Sequence, residues 1–312
     1  MNTLKSIRVF APATVTNLGS GFDIIGFPVE NLGDTVKVAQ NEHQVVRITD
    51  ISGYKEIPSE ASKNVASFAV IKLLEKLGKN KGFDIAIEKG VKPGSGIGSS
   101  ASSSVAAVYA VNELLGHPFT DNDLINFAME GEGLASGGKH GDNVAPALMG
   151  GITVLRSYSP LDVIKIKPPE QLKVVLLHPQ IEIKTKVARD ILPKQIPLED
   201  AIHQWGNVAG LVLGLYSADY ELIGRSMEDI IVEPRRSGLI PGYDHLKSAA
   251  LEAGALGCTI SGSGPSVFAL AKGDKAAKKL ENAMKEAYNK HEIPFNVHNL
   301  SISLQGAMII DK

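Results

Sequence analysis

The pattern of apolar and polar residues along the chain predicts alternating strands and helices. Residues 83–88 alternate apolar and polar side chains, which is the period of a strand exposed on one face. Residues 64–77 repeat apolar side chains at near-helical spacing and stop at Gly78, which predicts an amphipathic helix. Further strands are predicted at 9–11, 34–39, 45–51, 151–157, 172–177, 257–261 and 266–271, with a last one near 298–310. Further helices are predicted at 100–115, 120–129, 202–216, 220–229, 243–253 and 274–290.

The order of these elements predicts an α+β fold with two lobes. In the second half the order is β-α-β-β-α-β, which is typical of a ferredoxin-like split βαβ sandwich. Because hairpins are frequent, we expect an α+β fold with a mixed N-terminal sheet and helices rather than a doubly wound parallel sheet. A polar, proline-containing stretch over residues 158–171 is the best candidate boundary between domains at 1–160 and 161–312.

The composition narrows the class of protein without identifying it. The 312 residues include 32 Lys and Arg against 34 Asp and Glu, so no bulk charge attracts nucleic acid or an acidic membrane. The single cysteine, Cys258, excludes an intrachain disulfide and is expected to be a small buried side chain in a reducing compartment. Residues 1–15 lack a signal-like apolar run, and no apolar stretch is long enough to span a membrane. We therefore expect a soluble, cytoplasmic protein.

The candidate chemistry begins in a glycine-rich loop that joins a predicted strand to a predicted helix. This loop, residues 92–104 (KPGSGIGSSASSS), has glycines at 94, 96 and 98 and serines at 95, 99 and 100. A helix start leaves N–H groups without partners and is electropositive, and glycines let the backbone approach an anion closely. The loop therefore predicts a phosphate site, although a plain turn followed by a helix cap would contain the same residue types.

Two better-known phosphate loops do not fit this spacing. A P-loop needs a lysine directly after its last glycine, and Ser99 stands there instead. A dinucleotide-binding fingerprint needs G-x-G-x-x-G, whereas these glycines are one residue too close together. The acidic residue that this fingerprint needs after a second strand would be Glu113, which lies inside the predicted helix. A phosphate cradle of another type remains.

Three stretches together resemble the motifs of one enzyme family. Residues 94–101 (GSGIGSSA) resemble the central nucleotide-binding motif of the galactokinase–homoserine kinase–mevalonate kinase superfamily. Residues 11–23 (APATVTNLGSGFD) resemble its first motif, and residues 261–266 (SGSGPS) resemble its third, a glycine turn between two strands. The resemblance covers nearly the whole chain and implies a two-lobed small-molecule kinase whose N-terminal domain binds ATP.

Three further segments bear on the substrate. Residues 17–23, 131–146 and 233–241 are similar to the superfamily members that phosphorylate L-homoserine, on the route to threonine. One departure is that Pro93 precedes the first glycine of the loop, with Lys92 where many relatives carry the proline. This departure shifts a turn by one position, and we still expect phosphate binding. The resemblance also implies a homodimer.

The resemblance implies that ATP lies with its phosphates over residues 94–100. Ser100 would contribute its hydroxyl to Mg²⁺, and Glu132, expected in a glycine-flanked loop, would supply a carboxylate. Without a metal, the two would be a helix cap and a solvated loop carboxylate, and Glu130 is expected to be a bystander. The implied nucleotide-binding residues are Lys92, Pro93, Gly94, Ser95, Gly96, Ile97, Gly98, Ser99, Ser100 and Ala101.

Homoserine is a zwitterion, so its pocket needs charges of both signs. The resemblance assigns Arg189 and Arg236 to the substrate carboxylate, which a guanidinium fork binds well. It assigns Asp23 to the ammonium group and, more weakly, Thr185 to the neighbourhood of the transferred phosphate. Arg235 is expected at the surface. The implied substrate-binding residues are Asn17, Asp23, His140, Asn143, Arg189 and Arg236.

The resemblance places Asn143, Glu132 and Arg189 at the catalytic centre, without a dedicated base. Some relatives use an aspartate near this position to accept the hydroxyl proton, and Asp142 adjoins Asn143. The sequence leaves open which of the two faces the substrate. An asparagine cannot accept the proton, but phosphoryl transfer has a loose transition state in which positioning and charge neutralisation provide most of the acceleration.

Other functions remain open on the sequence. A sibling kinase of the same fold, for example one acting on mevalonate, would not need the charges of both signs that the arginines and Asp23 supply. A noncatalytic nucleotide-binding protein would be indicated by loss of Ser100 or Glu132, and both are present. A dinucleotide oxidoreductase is disfavoured by the glycine spacing.

Overall fold

The computed structural model describes residues 6–54 and 56–311. The strands are β1 (Ser6–Thr16), β2 (Ile25–Asn41), β3 (Val46–Ser52), β4 (Gly82–Glu88), β5 (Ile152–Tyr158), β6 (Leu161–Ile166), β7 (Leu172–Pro179), β8 (Gly257–Ile260), β9 (Val267–Lys272), β10 (Phe295–Ser301) and β11 (Met308–Asp311). The helices are α1 (Val65–Leu77), α2 (Ser99–Leu114), α3 (Asp121–Ser136), α4 (Gly141–Met149), α5 (Thr185–Asp190), α6 (Leu198–Ser217), α7 (Tyr220–Ser226), α8 (Glu233–Arg236), α9 (Tyr243–Glu252) and α10 (Asp274–Tyr288).

The first sheet is built around the long strand β2. Along one edge β2 pairs with β1, and along the other it pairs with β4 and then with β5. Strand β3 runs parallel to β4, and β6 forms a hairpin with β5. Helices α1 to α4 pack over this sheet in one apolar core. The small residues of α2 let that helix lie deeply buried against β1 and β2, which fixes the position of the glycine loop at its start.

The second sheet has the strand order β10-β7-β9-β8, and all of its pairs are antiparallel. This is the order of a ferredoxin-like lobe, with the first strand in the middle. Helices α9 and α10 cover one face of the sheet in a separate core. The other face shares a core with the first sheet, where the rings of Phe27 and Phe268 meet edge to face at 6.2 Å.

The predicted α+β class is confirmed, and most predicted elements are present. The predicted helix at 120–129 begins with a capping box, in which Thr120 and Asp123 each accept from the other's backbone N–H. The single strand predicted near 298–310 is wrong, because residues 295–301 belong to the second sheet and residues 308–311 return to pair with β1 in the first. Cys258 is buried, as expected.

The predicted domain boundary at residue 160 lies in the turn of the β5–β6 hairpin. Strand β6 therefore pairs in the first sheet although it follows the boundary, as does β11. The division into domains at 1–160 and 161–312 stays a prediction. Residues 1–5 and 312 lie outside the described residues, so part of the segment 1–15, which was expected to lack a signal, is not described. Among the described residues, no helix combines the length and apolar character needed to cross a membrane.

Candidate active site

Segments of all three motifs line one cleft of about 610 Å³. Two further residues of the sequence argument, Asp142 and Thr185, also line it, and the Thr185 hydroxyl lies 3.5 Å from that of Ser263. The cleft therefore brings the residues predicted for nucleotide, metal and substrate to one place. The predicted site residues along it are Asn17, Asp23, Pro93, Gly94, Ser95, Gly96, Gly98, Ser99, Ser100, Glu132, His140, Asn143, Arg189 and Arg236.

Three predicted nucleotide-binding residues do not present their side chains to this cleft. Ile97 packs in the core between the sheets, and Ala101 is buried in the core of the first sheet. Lys92 donates from its ammonium group to Gln180 Oε1 at 3.1 Å. Ile97 and Ala101 can therefore contribute only backbone groups to a phosphate site. The ammonium group of Lys92 could contribute only after breaking its hydrogen bond to Gln180.

The glycine loop depends on glycine for both its conformation and its packing. Gly96 and Gly98 have φ values of +79° and +71°, in the left-handed region that other residues rarely adopt. A Cβ on Gly96 would lie 2.6 Å from the carbonyl oxygen of Gly264, and one on Gly98 would lie 2.0 Å from the hydroxyl of Thr14. Residues of the first and third motifs thus pack directly against the glycine loop.

Hydrogen bonds from both sides hold the loop in this position. The Thr14 N–H donates to the carbonyl of Ile97 at 3.1 Å, and the Ser261 hydroxyl donates to the carbonyl of Gly96 at 2.8 Å. These bonds occupy carbonyl groups and link the loop to the other two motifs. The three motifs are therefore one structural unit, although together they span residues 11–266 of the chain.

A buried ion pair below the loop is a feature that the sequence argument missed. Lys89 and Asp34 are both buried, and the Lys89 ammonium also donates to the carbonyl of Ser99 at 2.7 Å and to the hydroxyl of Ser103 at 3.0 Å. Asp34 Oδ1 accepts from the N–H groups of residues 90 and 91, both at 3.1 Å. Burial lowers the pKa of Lys89, and the charge of Asp34 opposes that shift. The only sequence signal was a lysine directly after an amphipathic strand.

Ser100 and Glu132 face each other at the start of α2. The Ser100 hydroxyl donates to Glu132 Oε2 at 2.5 Å, and His140 Nδ1 lies 3.5 Å from Glu132 Oε1. The expectation of a loop around Glu132 is wrong, because α3 continues through it to Ser136. At position 131 the packing of α3 requires glycine, because a Cβ there would lie 2.4 Å from the carbonyl oxygen of Val65 in the neighbouring helix.

The Ser100–Glu132 pair has the chemistry of a magnesium site. A hydroxyl and a carboxylate at an electropositive helix start are oxygen ligands of the kind that Mg²⁺ takes, with phosphate and water oxygens completing its shell. No cluster of three or more metal-ligating side chains is present among residues 6–54 and 56–311.

Arg189 links Asp23 to His140 on the opposite wall. Its Nη2 group lies 2.9 and 2.8 Å from the two carboxylate oxygens of Asp23 and 2.8 Å from His140 Nε2. Burial lowers the pKa of His140, but the hydrogen bond and charge of Glu132 outweigh it, so the net shift is upward. A chain of ionisable side chains thus runs from Asp23 through Arg189 and His140 to Glu132.

Arg236 is a deeply buried cation of the site, with 3% of its surface exposed. Its Nε group donates to the carbonyl of Ala188 at 2.9 Å, and its Nη1 group donates to the carbonyl of Gly262 at 2.8 Å. Burial, the largest influence, lowers the pKa of Arg236 to about 10, so the side chain stays cationic at neutral pH. The neighbouring Arg235 is exposed, as expected.

Asp142 and Asn143 both border the cleft, but they face different neighbours. The Thr14 hydroxyl donates to Asn143 Oδ1 at 2.8 Å, which leaves the amide NH₂ group of Asn143 as a donor beside the glycine loop. Asp142 is 2% exposed, and burial, together with the charge of Asp23, raises its pKa to about 7. Burial and the negative charge of Asp23 therefore both favour the protonated form of this carboxyl group.

The fold and the cleft define the class of protein as a two-lobed small-molecule kinase. The profile of the GHMP kinases N terminal domain matches residues 64–151, and that of the GHMP kinases C terminal domain matches residues 211–290. The homoserine kinase of Chlorobaculum tepidum is 45% identical over 320 aligned residues, which cover 98% of this chain and 99% of that protein. The homoserine kinase of Methanococcus maripaludis is 39% identical over 287 residues, covering 92% and 94%.

A solved structure agrees with these relatives. The crystal structure of homoserine kinase from Cytophaga hutchinsonii superposes with a TM-score of 0.94 at 52% identity, over 99% of both chains. The chain belongs to the homoserine kinases of the GHMP kinase family. The predicted family, fold and enzyme class are confirmed, whereas the roles of individual site residues stay predictions.

Proposed function

We propose that the chain transfers the γ-phosphoryl group of ATP to the side-chain hydroxyl of L-homoserine, which yields O-phospho-L-homoserine for threonine synthesis. The observation that carries the proposal is one cleft in which a phosphate loop lies opposite two arginines and an aspartate. A zwitterionic amino acid needs charges of both signs, and a sibling kinase for an uncharged or singly charged alcohol does not. The names of the relatives, at 39–45% identity, support the same substrate.

The nucleotide is proposed to lie across the start of α2. Its phosphates would lie over residues 94–100, where the glycine backbone and the positive end of the helix favour an anion. The adenosine end would lie toward Ile57, Pro58 and Val65, which line the same cleft with apolar surface. These residues precede or begin α1, and no motif in the sequence indicated them.

Ser100 and Glu132 are proposed to hold Mg²⁺ together with the phosphates. The ion would neutralise charge on the β- and γ-phosphate oxygens. Glu132 also lies beside His140, so the same carboxylate holds the pocket wall in place. Ser100 keeps its hydroxyl oriented toward the cleft through its bond to Glu132.

In the proposed complex, the two charged groups of the substrate replace the ion pair between Asp23 and Arg189. The carboxylate would pair with Arg189 and Arg236, and the ammonium group would pair with Asp23. Asn17 supports this wall, because its Nδ2 group donates to the carbonyl of Gly262 at 2.9 Å and its Oδ1 accepts from the Asp23 N–H at 3.2 Å. A ligand with only one charge would leave one member of this partly exposed pair without an opposite charge.

Transfer is proposed to proceed in line and without a dedicated base. The hydroxyl oxygen of homoserine attacks the γ-phosphorus, the bond to the bridging oxygen of ADP breaks, and the hydroxyl proton passes to the phosphate. Asn143, the residue beside the glycine loop, can donate to the hydroxyl but cannot accept its proton. Arg189 and the cation at Glu132 would offset the negative charge.

A coupled assay of ADP release tests this function. Homoserine, mevalonate, galactose and shikimate are supplied in turn with ATP and magnesium. We expect release to depend on homoserine alone, because only homoserine offers both charges. Release with mevalonate instead of homoserine would assign the chain to a sibling activity.

The absence of a base is tested by the pH dependence of Asp142→Asn. If Asp142 with its pKa of about 7 accepted the proton, kcat of the wild type would rise with pH as this group ionises, and the variant would lose that rise. We expect kcat to follow the same pH profile in both proteins. His140, Asp23 and Glu132 also act on this carboxyl group, so the comparison is made between the two profiles rather than on one alone. A rise that only the wild type shows would establish Asp142 as the base.

A homodimer is proposed from the apolar face of α6. Trp205 and Tyr216 are 62% and 79% exposed there, beside Ile164 of β6, around a groove of about 580 Å³. We propose that a second copy covers this face, since large exposed apolar patches mark contacts between proteins. Trp205→Glu is expected to halve the mass measured by light scattering, and a wild type that is monomeric at micromolar concentration would refute the proposal.

We also propose a cytoplasmic location, which is the location expected from the single cysteine.

A further inference from the structure

Asp229 lies behind the substrate wall and accepts hydrogen bonds from three backbone N–H groups. Its Oδ1 accepts from the N–H groups of Ile231 and Val232 at 2.9 and 3.0 Å, and its Oδ2 accepts from that of Glu233 at 2.9 Å. The residue is 7% exposed. Both carboxylate oxygens are thus used to fix the backbone immediately before and at the start of α8.

Gln204 of α6 holds Asp229 in this position. Its Nε2 group donates at 3.1 Å both to Asp229 Oδ1 and to the carbonyl of Ser20 in the first motif. Its Oε1 accepts from the Ile230 N–H at 3.3 Å. The Ser20 hydroxyl donates in turn to the carbonyl of Ser226 at 2.8 Å. The first motif and the segment before α8 are therefore joined through one buried amide.

Helix α8 is a single turn, and Arg236 is its last residue. One turn has little stability of its own, so its direction is set by the groups that hold its start. The direction matters because the buried side chain of Arg236 donates to the carbonyls of both Ala188 and Gly262. A displacement of the backbone at residues 231–233 would therefore move the guanidinium group of Arg236, three residues further along the chain.

We propose that Asp229, held by Gln204, is the positioning residue that aims Arg236 at the carboxylate of the substrate. The proposal rests on the proposed function, in which Arg236 binds that carboxylate. Asp229 itself does not line the cleft, so it acts through α8 and not by contact with the substrate. Its removal should weaken homoserine binding and leave the nucleotide half of the cleft intact.

Asp229→Asn is the first variant of the test. The amide has the same size but turns one acceptor oxygen into an NH₂ group, which then faces a backbone N–H. We expect KM for homoserine to rise about tenfold, with kcat and KM for ATP within about twofold of the wild type. Asp219→Asn is the matched control, because Asp219 caps α7 through the Leu222 N–H at 2.9 Å and α7 contributes no residue to the cleft.

The second part of the test repeats Asp229→Asn in an Arg236→Met background. If Asp229 acts through Arg236, the added change leaves KM for homoserine as it is in Arg236→Met alone. Gln204→Met is a milder third variant, expected to raise KM for homoserine about threefold even if Asp229→Asn does not fold. The inference is overturned if Asp219→Asn raises this KM equally, if the effect of Asp229→Asn persists without Arg236, or if Gln204→Met leaves KM unchanged. A wild type without homoserine-dependent ADP release would instead remove the proposed function.

Discussion

Glu132→Gln is expected to lower kcat about 100- to 1,000-fold, which is the cost of removing one preorganised charge from a transition state. The amide keeps the shape of the side chain and can still accept from the Ser100 hydroxyl. It loses the negative charge that is proposed to hold Mg²⁺ against the phosphates. The variant is measured by ADP release at saturating homoserine, with magnesium varied at fixed ATP. The magnesium concentration for half-maximal rate should rise as kcat falls.

Glu130→Gln is the control for this prediction. Glu130 lies on the same helix two residues earlier, a spacing that turns its side chain to a different face, where it pairs with Lys139. Surface substitutions of this kind usually have small effects, so we expect kcat within about twofold of the wild type. If Glu132→Gln and Glu130→Gln lower kcat equally, or if both leave it unchanged, Glu132 does not belong to the metal site.

The helical surroundings of Glu132 could not be predicted from the local sequence. Its role was inferred from a motif, but its glycine neighbours indicated a loop, since glycine disfavours a helix by about 1 kcal/mol. The contact of Gly131 with the backbone of α1 overrides that preference, and such a contact between helices is invisible to local pattern. Elements with strong local signals, such as the capping box at Thr120, were predicted correctly.

The same division applies to the substrate wall. The resemblance selected Asp23, Arg189 and Arg236, and two of them stand in the matched stretches 17–23 and 233–241. The sequence did not indicate that Asp23 and Arg189 pair with each other, because that contact joins residues 166 positions apart. It also gave no sign that residues 295–301 and 308–311 pair in different sheets, since both stretches carry the pattern of a strand.

Asp34→Asn is expected to destabilise the protein by about 3–5 kcal/mol, the usual cost of leaving one member of a buried ion pair without its partner. The amide can still accept from the N–H groups of residues 90 and 91, so the loss comes mainly from Lys89. Free energies of unfolding are measured in urea at neutral and at alkaline pH. Without Asp34, the pKa of Lys89 in the folded state falls further below its unfolded value, so the unfolded chain binds more protons and the variant regains stability as pH rises.

Two further variants separate this ion pair from charge loss in general. Arg47→Met breaks the partly exposed pair between Arg47 and Asp84 on neighbouring strands of the same sheet, and we expect it to cost about 1 kcal/mol or less. Adding Lys89→Met to Asp34→Asn removes the stranded charge and should restore part of the lost stability. Lys89 also donates to the carbonyl of Ser99 at the start of α2. We therefore expect KM for ATP to rise both in Asp34→Asn and in the double variant with Lys89→Met. If Asp34→Asn lowered the free energy of unfolding no more than Arg47→Met does, the ion pair between Lys89 and Asp34 would not be what holds the glycine loop in place.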